Sequence, residues 1–168
     1  MKIVVFSDSH GICDYMLQET EKLNRSVTID YIIHLGDLVR DAELLQKNFP
    51  DIPVLYVSGN CDYAYDIKDS EKEFEFQGKK FFVLHGDTQR VKFSPGNLES
   101  IAARKDYDII LYGHTHTPRE DYIKNKNGGG TYIINPGSVS YNRDGSGRSY
   151  CVIDITGDDL RANIVRIN

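Results

Sequence analysis

The chain has 168 residues, 40% of them hydrophobic and 27% charged, with a net charge of −5 and a sequence pI of 5.5. That length suits one domain with a real core, and the composition is ordinary for a globular protein. The acidic balance argues against generic nucleic-acid binding, and apolar runs of about five to seven residues fall far short of the ~20 that span a bilayer.

The first half reads strand, helix, strand, helix, strand. Residues 2–8 are apolar, 14–24 has helix-compatible spacing through Tyr15, Leu17 and Leu23, and 31–37 is the next apolar run. Residues 40–48 (RDAELLQKN) are rich in helix formers and stop at Phe49-Pro50, and 53–58 is apolar again. Such alternation implies right-handed βαβ units and a parallel sheet. The pattern then changes. EKEFEFQ alternates apolar and polar residues, Gly78 supplies a turn and KKFFVLHG follows, which reads as a hairpin. Residues 97–105 (NLESIAARK) predict a third helix before a strand at 108–113. The tail is strand-rich: DYIKN, a glycine turn at Gly128-Gly129-Gly130, TYIINPGS, then SYCVIDI and LRANIVRI joined by TGDD. An α/β half followed by a β-meander half predicts two sheets packed face to face with helices outside. No repeat or linker interrupts the chain, so residues 1–168 are expected to form one domain.

Cys13, Cys61 and Cys151 are odd in number and lack C-x-x-C spacing, so a disulfide framework is not expected and a reducing compartment is. The N-terminal MKIVVFSDSHG is too short for a signal peptide and runs straight into a motif, so the default location is cytoplasmic.

Five stretches share one grammar: a strand-type apolar run, then at once a polar residue able to bind a metal. KIVVFSD ends in Asp8, with Ser9 and His10 after it; YIIHLGD ends in Asp37. PVLYVSG leads to Asn60, KFFVLH ends in His85, and DIILYG leads to His114-Thr115-His116. Ligands gather beyond the carboxyl ends of such strands in open α/β sheets. Seven nitrogen and oxygen donors on five strand ends therefore predict a metal site, read here as a site for two metals. Mn²⁺, Fe²⁺, Ni²⁺ and Zn²⁺ all accept imidazole and carboxylate together. Asp8 and His10, on one loop, can share an ion. Asp37 follows Gly36 at a strand end, where its two oxygens can bridge two ions; Asn60 offers a neutral amide oxygen. His85 and His114 add imidazoles, and His116 can turn to the other ion. Two divalent ions less two carboxylates and a hydroxide leave a small positive charge, suited to a phosphate. Such a pair, ~3.5–4 Å apart, brings the pKa of water towards ~7 and clamps attacking and leaving oxygens.

Taken together, DSH at 8–10, GD at 36–37, GNCD at 59–62, HG at 85–86, GHTH at 113–116 and NPGS at 135–138 resemble the calcineurin-like metallophosphoesterases. The short chain and the GNCD form are similar to the small bacterial and archaeal phosphodiesterase branch, of the YfcE type. The resemblance implies a four-layer α-β-β-α sandwich of two mixed sheets flanked by helices. It also implies a dinuclear centre, with manganese as the expected metal: Asp8, His10, Asp37 and His116 on one ion, and Asp37, Asn60, His85 and His114 on the other. The activity implied is hydrolysis of small or nucleotide-like phosphodiesters by in-line attack of a metal-bridging hydroxide. Asn60, Cys61 and His114 are the residues expected to act on the reacting phosphoester. The position of Cys61 is His in many larger members, where it is thought to assist phosphate binding or leaving-group protonation. A thiol with an ordinary pKa near 8.5 is a poorer acid than imidazolium, so good leaving groups are expected to be favoured. The partner implied is a small-molecule phosphoester, with no stable nucleic acid and no membrane, and small members often form dimers or tetramers.

Other readings are weaker. A Vps29-like protein-interaction scaffold would have lost ligands, whereas all seven are present. A nuclease of the Mre11 kind carries large extra domains, and a protein Ser/Thr phosphatase usually carries GNH and extra arginines; a phosphomonoesterase is a further alternative. His34, left outside the motifs, is expected to pack or hydrogen-bond behind the site. Asp62 and Asp87 are read either as acceptors that orient imidazoles or as turn caps. Ser9 and Thr115 read as local hydrogen-bonders and NPGS as structural support. Cys13 and Cys151 read as packing, and Tyr63 and Tyr65 either line a substrate pocket or a subunit contact or stand on an ordinary half-exposed loop.

Overall fold

Strand β1 (Lys2–Phe6) is an unbroken apolar run because both of its faces are covered. Its Ile3 and Val5 point to one side and its Val4 and Phe6 to the other, and all four are fully buried. The computed structural model describes residues 1–63, 67–94, 96–124 and 129–167. After β1 the chain forms α1 (Asp14–Asn24), β2 (Tyr31–His34), α2 (Val39–Asn48) and β3 (Val54–Tyr56). A 3₁₀ turn at Ile67–Ser70 leads to the hairpin of β4 (Glu71–Phe76) and β5 (Lys79–Leu84). Gln77 and Gly78 at its tip have φ of 49° and 75°, the pair of positive values that a two-residue hairpin turn demands. Then come α3 (Gly96–Arg104), β6 (Ile109–Tyr112), β7 (Arg119–Lys124), β8 (Gly130–Asn135), β9 (Arg148–Thr156) and β10 (Asp159–Ile167).

Two five-stranded mixed sheets result, in the orders β10-β9-β1-β2-β3 and β4-β5-β6-β8-β7. One apolar cluster joins them face to face: Ile3, Val5, Ile33 and Ile153 from the first sheet meet Phe81, Val83, Ile109 and Ile134 from the second. Outside the first sheet, Met16 of α1 and Leu45 of α2 pack on Phe6, Ile32 and Tyr150. Outside the second, Leu98 and Ala102 of α3 pack on Leu84, Ile110 and Tyr112. The architecture is the four-layer α-β-β-α sandwich. Among the described residues no helix is long and apolar enough to cross a membrane.

The tail departs from the expected division into halves. β9 and β10 return to the first sheet, where β9 runs antiparallel to β1 with Val4 opposite Val152 and Val5 opposite Cys151. The cause is the free side of β1: β2 occupies only one edge, and β9, apolar on both faces, covers the other. β7 begins earlier than DYIKN and pairs antiparallel with β8, while Gly128 of the expected glycine turn lies outside the described residues. β1, β2 and β3 are mutually parallel, as are β5, β6 and β8. The five strand ends that carry the expected donors thus belong to two sheets, three to one and two to the other.

Candidate metal centre

Each proposed donor sits on the first turn beyond a strand, and the backbone there is unusual. Asp8, His10, Asp37, His114 and His116 have φ of 54°, 48°, 58°, 66° and 56°. Among the described non-glycine residues, positive φ otherwise occurs only at Leu38, Gln77 and Arg90. Each such conformation costs on the order of 1–3 kcal/mol and clusters where function demands a geometry. Three glycines let these turns touch. A Cβ at Gly59 would lie 2.5 Å from Asp37 Oδ1, one at Gly113 2.1 Å from Ser7 Oγ, and one at Gly36 2.8 Å from Gly59 N. The small residue in GD, GN and GH is required by the crossing of three loops.

The donors converge in two groups, Asp8–His10–Asp37–His116 and Asp37–His85–His114, with the donor atoms of each within 4.8 Å of one another. Asp37 belongs to both. Its Oδ2 is 3.6 Å from His10 Nε2 and its Oδ1 is 3.4 Å from His85 Nε2. Asn60 Oδ1 lies 3.2 Å from His85 Nε2, so the amide joins the second group. All seven predicted donors are brought together.

The hydrogen bonds behind the rings set what faces inward. His85 Nδ1 is 2.7 Å from the Leu35 carbonyl and His116 Nδ1 is 3.3 Å from the Tyr141 carbonyl. A carbonyl only accepts, so in each ring Nδ1 carries a hydrogen, and the tautomer this selects for metal binding is the one whose Nε2 lone pair faces the site. The His85 lone pair then meets Asn60 Oδ1, Asp37 Oδ1 and His114 Nδ1, the last at 3.1 Å. That of His116 meets Asp8 Oδ1 at 3.2 Å and His10 Nε2 at 3.1 Å. Asp8 Oδ1 is itself buried without a hydrogen-bond donor of acceptable geometry. Lone pairs aimed at carboxylate oxygens repel unless a cation lies between them, and the mixed imidazole, carboxylate and amide set suits a divalent transition ion. The residues present therefore fit the two-ion centre.

Charge states agree with that use. Burial by itself would raise the Asp8 carboxyl, but the close approach of His116 and His85 and the Ser7 hydroxyl (2.5 Å) prevail and lower it to about 2. Burial, then the neighbouring His85 and Lys92, lowers His114 to about 4, leaving a neutral imidazole at pH 7. Burial, then the Asp37 carboxylate, pushes the Cys61 thiol up to about 11. Cys61 is half-buried, and its backbone N–H donates to Asp37 Oδ1 at 2.9 Å.

The support lies partly where the motifs indicated and partly elsewhere. In NPGS, the Ser138 hydroxyl donates to the Asp8 carbonyl at 2.8 Å, and Ser140 just beyond does the same at 2.8 Å. Asn135 Nδ2 donates to the Gly113 carbonyl at 2.8 Å and to Thr115 Oγ1 at 3.0 Å, tying down the GHTH turn. Asp62 caps: it accepts from Gly59 N and Val39 N, each at 2.8 Å. The hydrogen-bond acceptors behind His85 and His116 are main-chain carbonyls, where the sequence suggested Asp62 or Asp87. His34 does lie behind the site. Gly36 N donates to its Nδ1 at 3.3 Å, which leaves Nε2 to donate to Ser9 Oγ at 3.1 Å, and Ser9 Oγ donates to Asp41 Oδ2 at 2.7 Å. Burial lowers His34 to about 4. Asp41 also accepts from Gly11 N at 2.7 Å, so this buried acid holds the DSHG loop.

Asp41, Lys92, Ser140 and Tyr141 were not singled out from the sequence. Asp41 left a trace, being an acid on the same helix face as Leu45, whereas the carbonyl of Tyr141 left none. Lys92 Nζ reaches to 3.4 Å from His114 Nδ1. Tyr63 is 96% exposed, and Tyr65 lies outside the described residues. Cys13 is half-buried, and Cys151 is buried in β9 against the sandwich core, as packing predicts.

Residues 1–158 match the calcineurin-like phosphoesterase superfamily domain. The chain is 30% identical over 158 residues to the probable metallophosphoesterase YsnB of Bacillus subtilis (strain 168), spanning 94% of this chain and 86% of that protein. It is 26% identical over 174 residues to the phosphodiesterase YfcE of Escherichia coli (strain K12), spanning 92% and 88%. Among solved structures, a conserved uncharacterized protein and predicted phosphoesterase from Streptococcus pneumoniae TIGR4 superposes with a TM-score of 0.73 at 29% identity, over 98% of this chain and 88% of that one. A double mutant of Vps29 from Entamoeba histolytica shares the fold, with a TM-score of 0.73 at 20% identity over 100% of both chains. With relatives named for phosphoester chemistry aligned along nearly its whole length, the chain belongs to the calcineurin-like phosphoesterase superfamily.

Proposed function

We propose that the protein is a metal-dependent phosphodiesterase acting on small or nucleotide-like phosphodiesters. The observation that carries this reading is Asp37, whose two carboxylate oxygens face two separate imidazole groups. Asp8, His10, Asp37 and His116 would hold one divalent ion, and Asp37, Asn60, His85 and His114 the other, with Mn²⁺ as the proposed metal. When bound, two such ions would supply hydroxide at neutral pH and offset the charge on attacking and leaving oxygens.

The chain's own residues do the rest. The Leu35 and Tyr141 carbonyls hold His85 and His116 in the tautomer that donates a lone pair inward. His114 stays neutral for the same purpose. Lys92 brings a positive charge to the edge of the second group, where a phosphodiester anion gathers. Cys61 keeps its proton at neutral pH, so it can donate a hydrogen bond to a phosphate oxygen but protonates a leaving group poorly. Good leaving groups are therefore preferred. Tyr63, Phe93 and Tyr141, exposed by 96%, 89% and 54%, stand on the loops beside Asp62, Lys92 and Ser140 and offer rings on which a planar base can stack. Cys13, Cys61 and Cys151 are all free thiols, in keeping with work in a reducing compartment.

The test is hydrolysis of bis-p-nitrophenyl phosphate by chelator-stripped protein, with and without added Mn²⁺, beside an Asp37→Ala variant. Turnover restored by the metal and lost in the variant is expected. No turnover with any divalent metal would overturn the reading.

A further inference from the structure

Next to the metal centre lies a pocket of about 320 Å³, and of its cations the phosphodiesterase reading uses only Lys92, at the shared edge. Three cations line it, Lys92, Arg119 and Arg143, together with Thr115, Thr117 and Tyr112. They come from three separate parts of the chain: the segment after β5, the first residue of β7, and the loop between β8 and β9. Two contacts tie the pocket to the centre. Lys92 Nζ is 3.4 Å from His114 Nδ1, and Arg143 N donates to the His116 carbonyl at 3.0 Å. Thr115 and Thr117 flank His116 in the chain, so the pocket shares a wall with the metal-binding loop.

The charges do not balance locally. Arg119 Nε pairs with Asp121 Oδ2 at 2.6 Å, but among the described residues no carboxylate pairs with Lys92 or Arg143. Counting direct ion pairs, three cations and one carboxylate leave a surplus of two positive charges in a chain whose net charge is −5; the charges of Asp8 and Asp37, which belong to the metal centre, reach Lys92, and that of Glu99 reaches Arg119. Two guanidinium forks and threonine hydroxyls are the donors that recognise phosphate oxygens.

We propose that this pocket binds a second phosphate group of the same substrate molecule, so that the preferred substrates are phosphodiesters that also carry a phosphomonoester. A phosphomonoester carries roughly −1.5 to −2 at pH 7, which matches the surplus and selects it over a carboxylate. In the reaction, the oxygen of water bonds to the diester phosphorus, the bond to the leaving oxygen breaks, water's proton goes to the leaving alkoxide or, for a phenolate, to solvent, and the second phosphate remains intact as an anchor. The inference rests on the phosphodiesterase reading above and is tested separately from it.

The experiment compares two chromogenic diesters with the metal-loaded full chain: thymidine 5′-(p-nitrophenyl phosphate) and the same ester carrying a 3′-phosphate. We expect kcat/KM to favour the 3′-phosphorylated ester by about tenfold or more, chiefly through KM, since charge-assisted hydrogen bonds are at stake. In the double variant Arg119→Met, Arg143→Met that preference should collapse towards unity. Equal rates for the two esters in the unmodified protein, or a preference that survives in the variant, would overturn the proposal. If neither ester is hydrolysed, the phosphodiesterase reading fails, and the pocket is judged by calorimetry of inorganic phosphate with the chelator-treated full chain. Binding abolished by Arg119→Met, Arg143→Met supports the pocket; no binding, or binding indifferent to those changes, refutes it.

Discussion

Ser138 and Ser140 both hold the Asp8 carbonyl, yet replacing them should have unequal consequences. Ser140→Ala removes one hydroxyl bond of 2.8 Å while the carbonyl keeps Ser138, a loss of ~1 kcal/mol. Ser138→Ala removes the other bond and also strands two main-chain donors, because Ser138 Oγ accepts from Ser140 N at 3.0 Å and Tyr141 N at 3.1 Å. At ~1–3 kcal/mol for each donor left unsatisfied, added to the lost bond, the second change should destabilise by ~3–7 kcal/mol. The difference should also reach the metal. Asp8 has φ of 54° and is fully buried, and a conformation of that kind persists only where its surroundings enforce it. If half the enforcement is removed and ~1.4 kcal/mol of positioning is lost, the Mn²⁺ concentration for half-maximal turnover should rise about tenfold. Urea denaturation of chelator-treated protein measures the first effect and Mn²⁺ titration of bis-p-nitrophenyl phosphate hydrolysis the second. Equal destabilisation by the two changes, or an unaltered Mn²⁺ requirement in Ser138→Ala, would refute the reasoning.

Three other expectations concern pH, metal and leaving group. His34, lowered by burial to about 4 from an ordinary 6.5, binds protons more readily in the unfolded chain; its contribution is therefore fully present above pH 6.5 and is lost as pH falls through 4, worth ~3 kcal/mol. His34→Gln should flatten the stability profile over that window, and a denaturation series giving the same slope in both proteins would count against it. Added Mn²⁺ at about 100 times its dissociation constant should stabilise the fold by ~2.7 kcal/mol, visible as a rise in melting temperature that a chelator reverses and Asp37→Ala abolishes. Cys61→His replaces a thiol pushed up to about 11 by burial and Asp37 with a better acid, and should speed hydrolysis of diesters with alkyl leaving groups by up to ~10²-fold while changing p-nitrophenyl esters little. An unchanged rate and pH profile on both ester classes would remove Cys61 from the reaction.

Much of this protein was readable along the chain, because the signals that matter are local. KIVV, YIIH and IILY announce strands with no solvent face, and GD, GN and GH place a small residue where loops must touch. Seven donor residues directly after such runs point to one place, since parallel strands deliver their ends to a common side. Other features exist only once distant segments meet. Nothing in SYCVIDI states that β9 will close the free side of β1, since its apolar residues would suit either sheet. The tautomers of His85 and His116 depend on the carbonyls of Leu35 and Tyr141, which every residue type carries. Asp41 becomes an anchor only when Ser9 and Gly11 fold onto it, 32 and 30 residues away in sequence. Lys92, Arg119 and Arg143 are scattered cations in an acidic chain until β5, β6 and β8 bring their loops to one pocket. Donor identity and strand character reside in single residues and their neighbours, while charge balance, tautomer and sheet membership belong to pairs that only packing brings within a few ångströms.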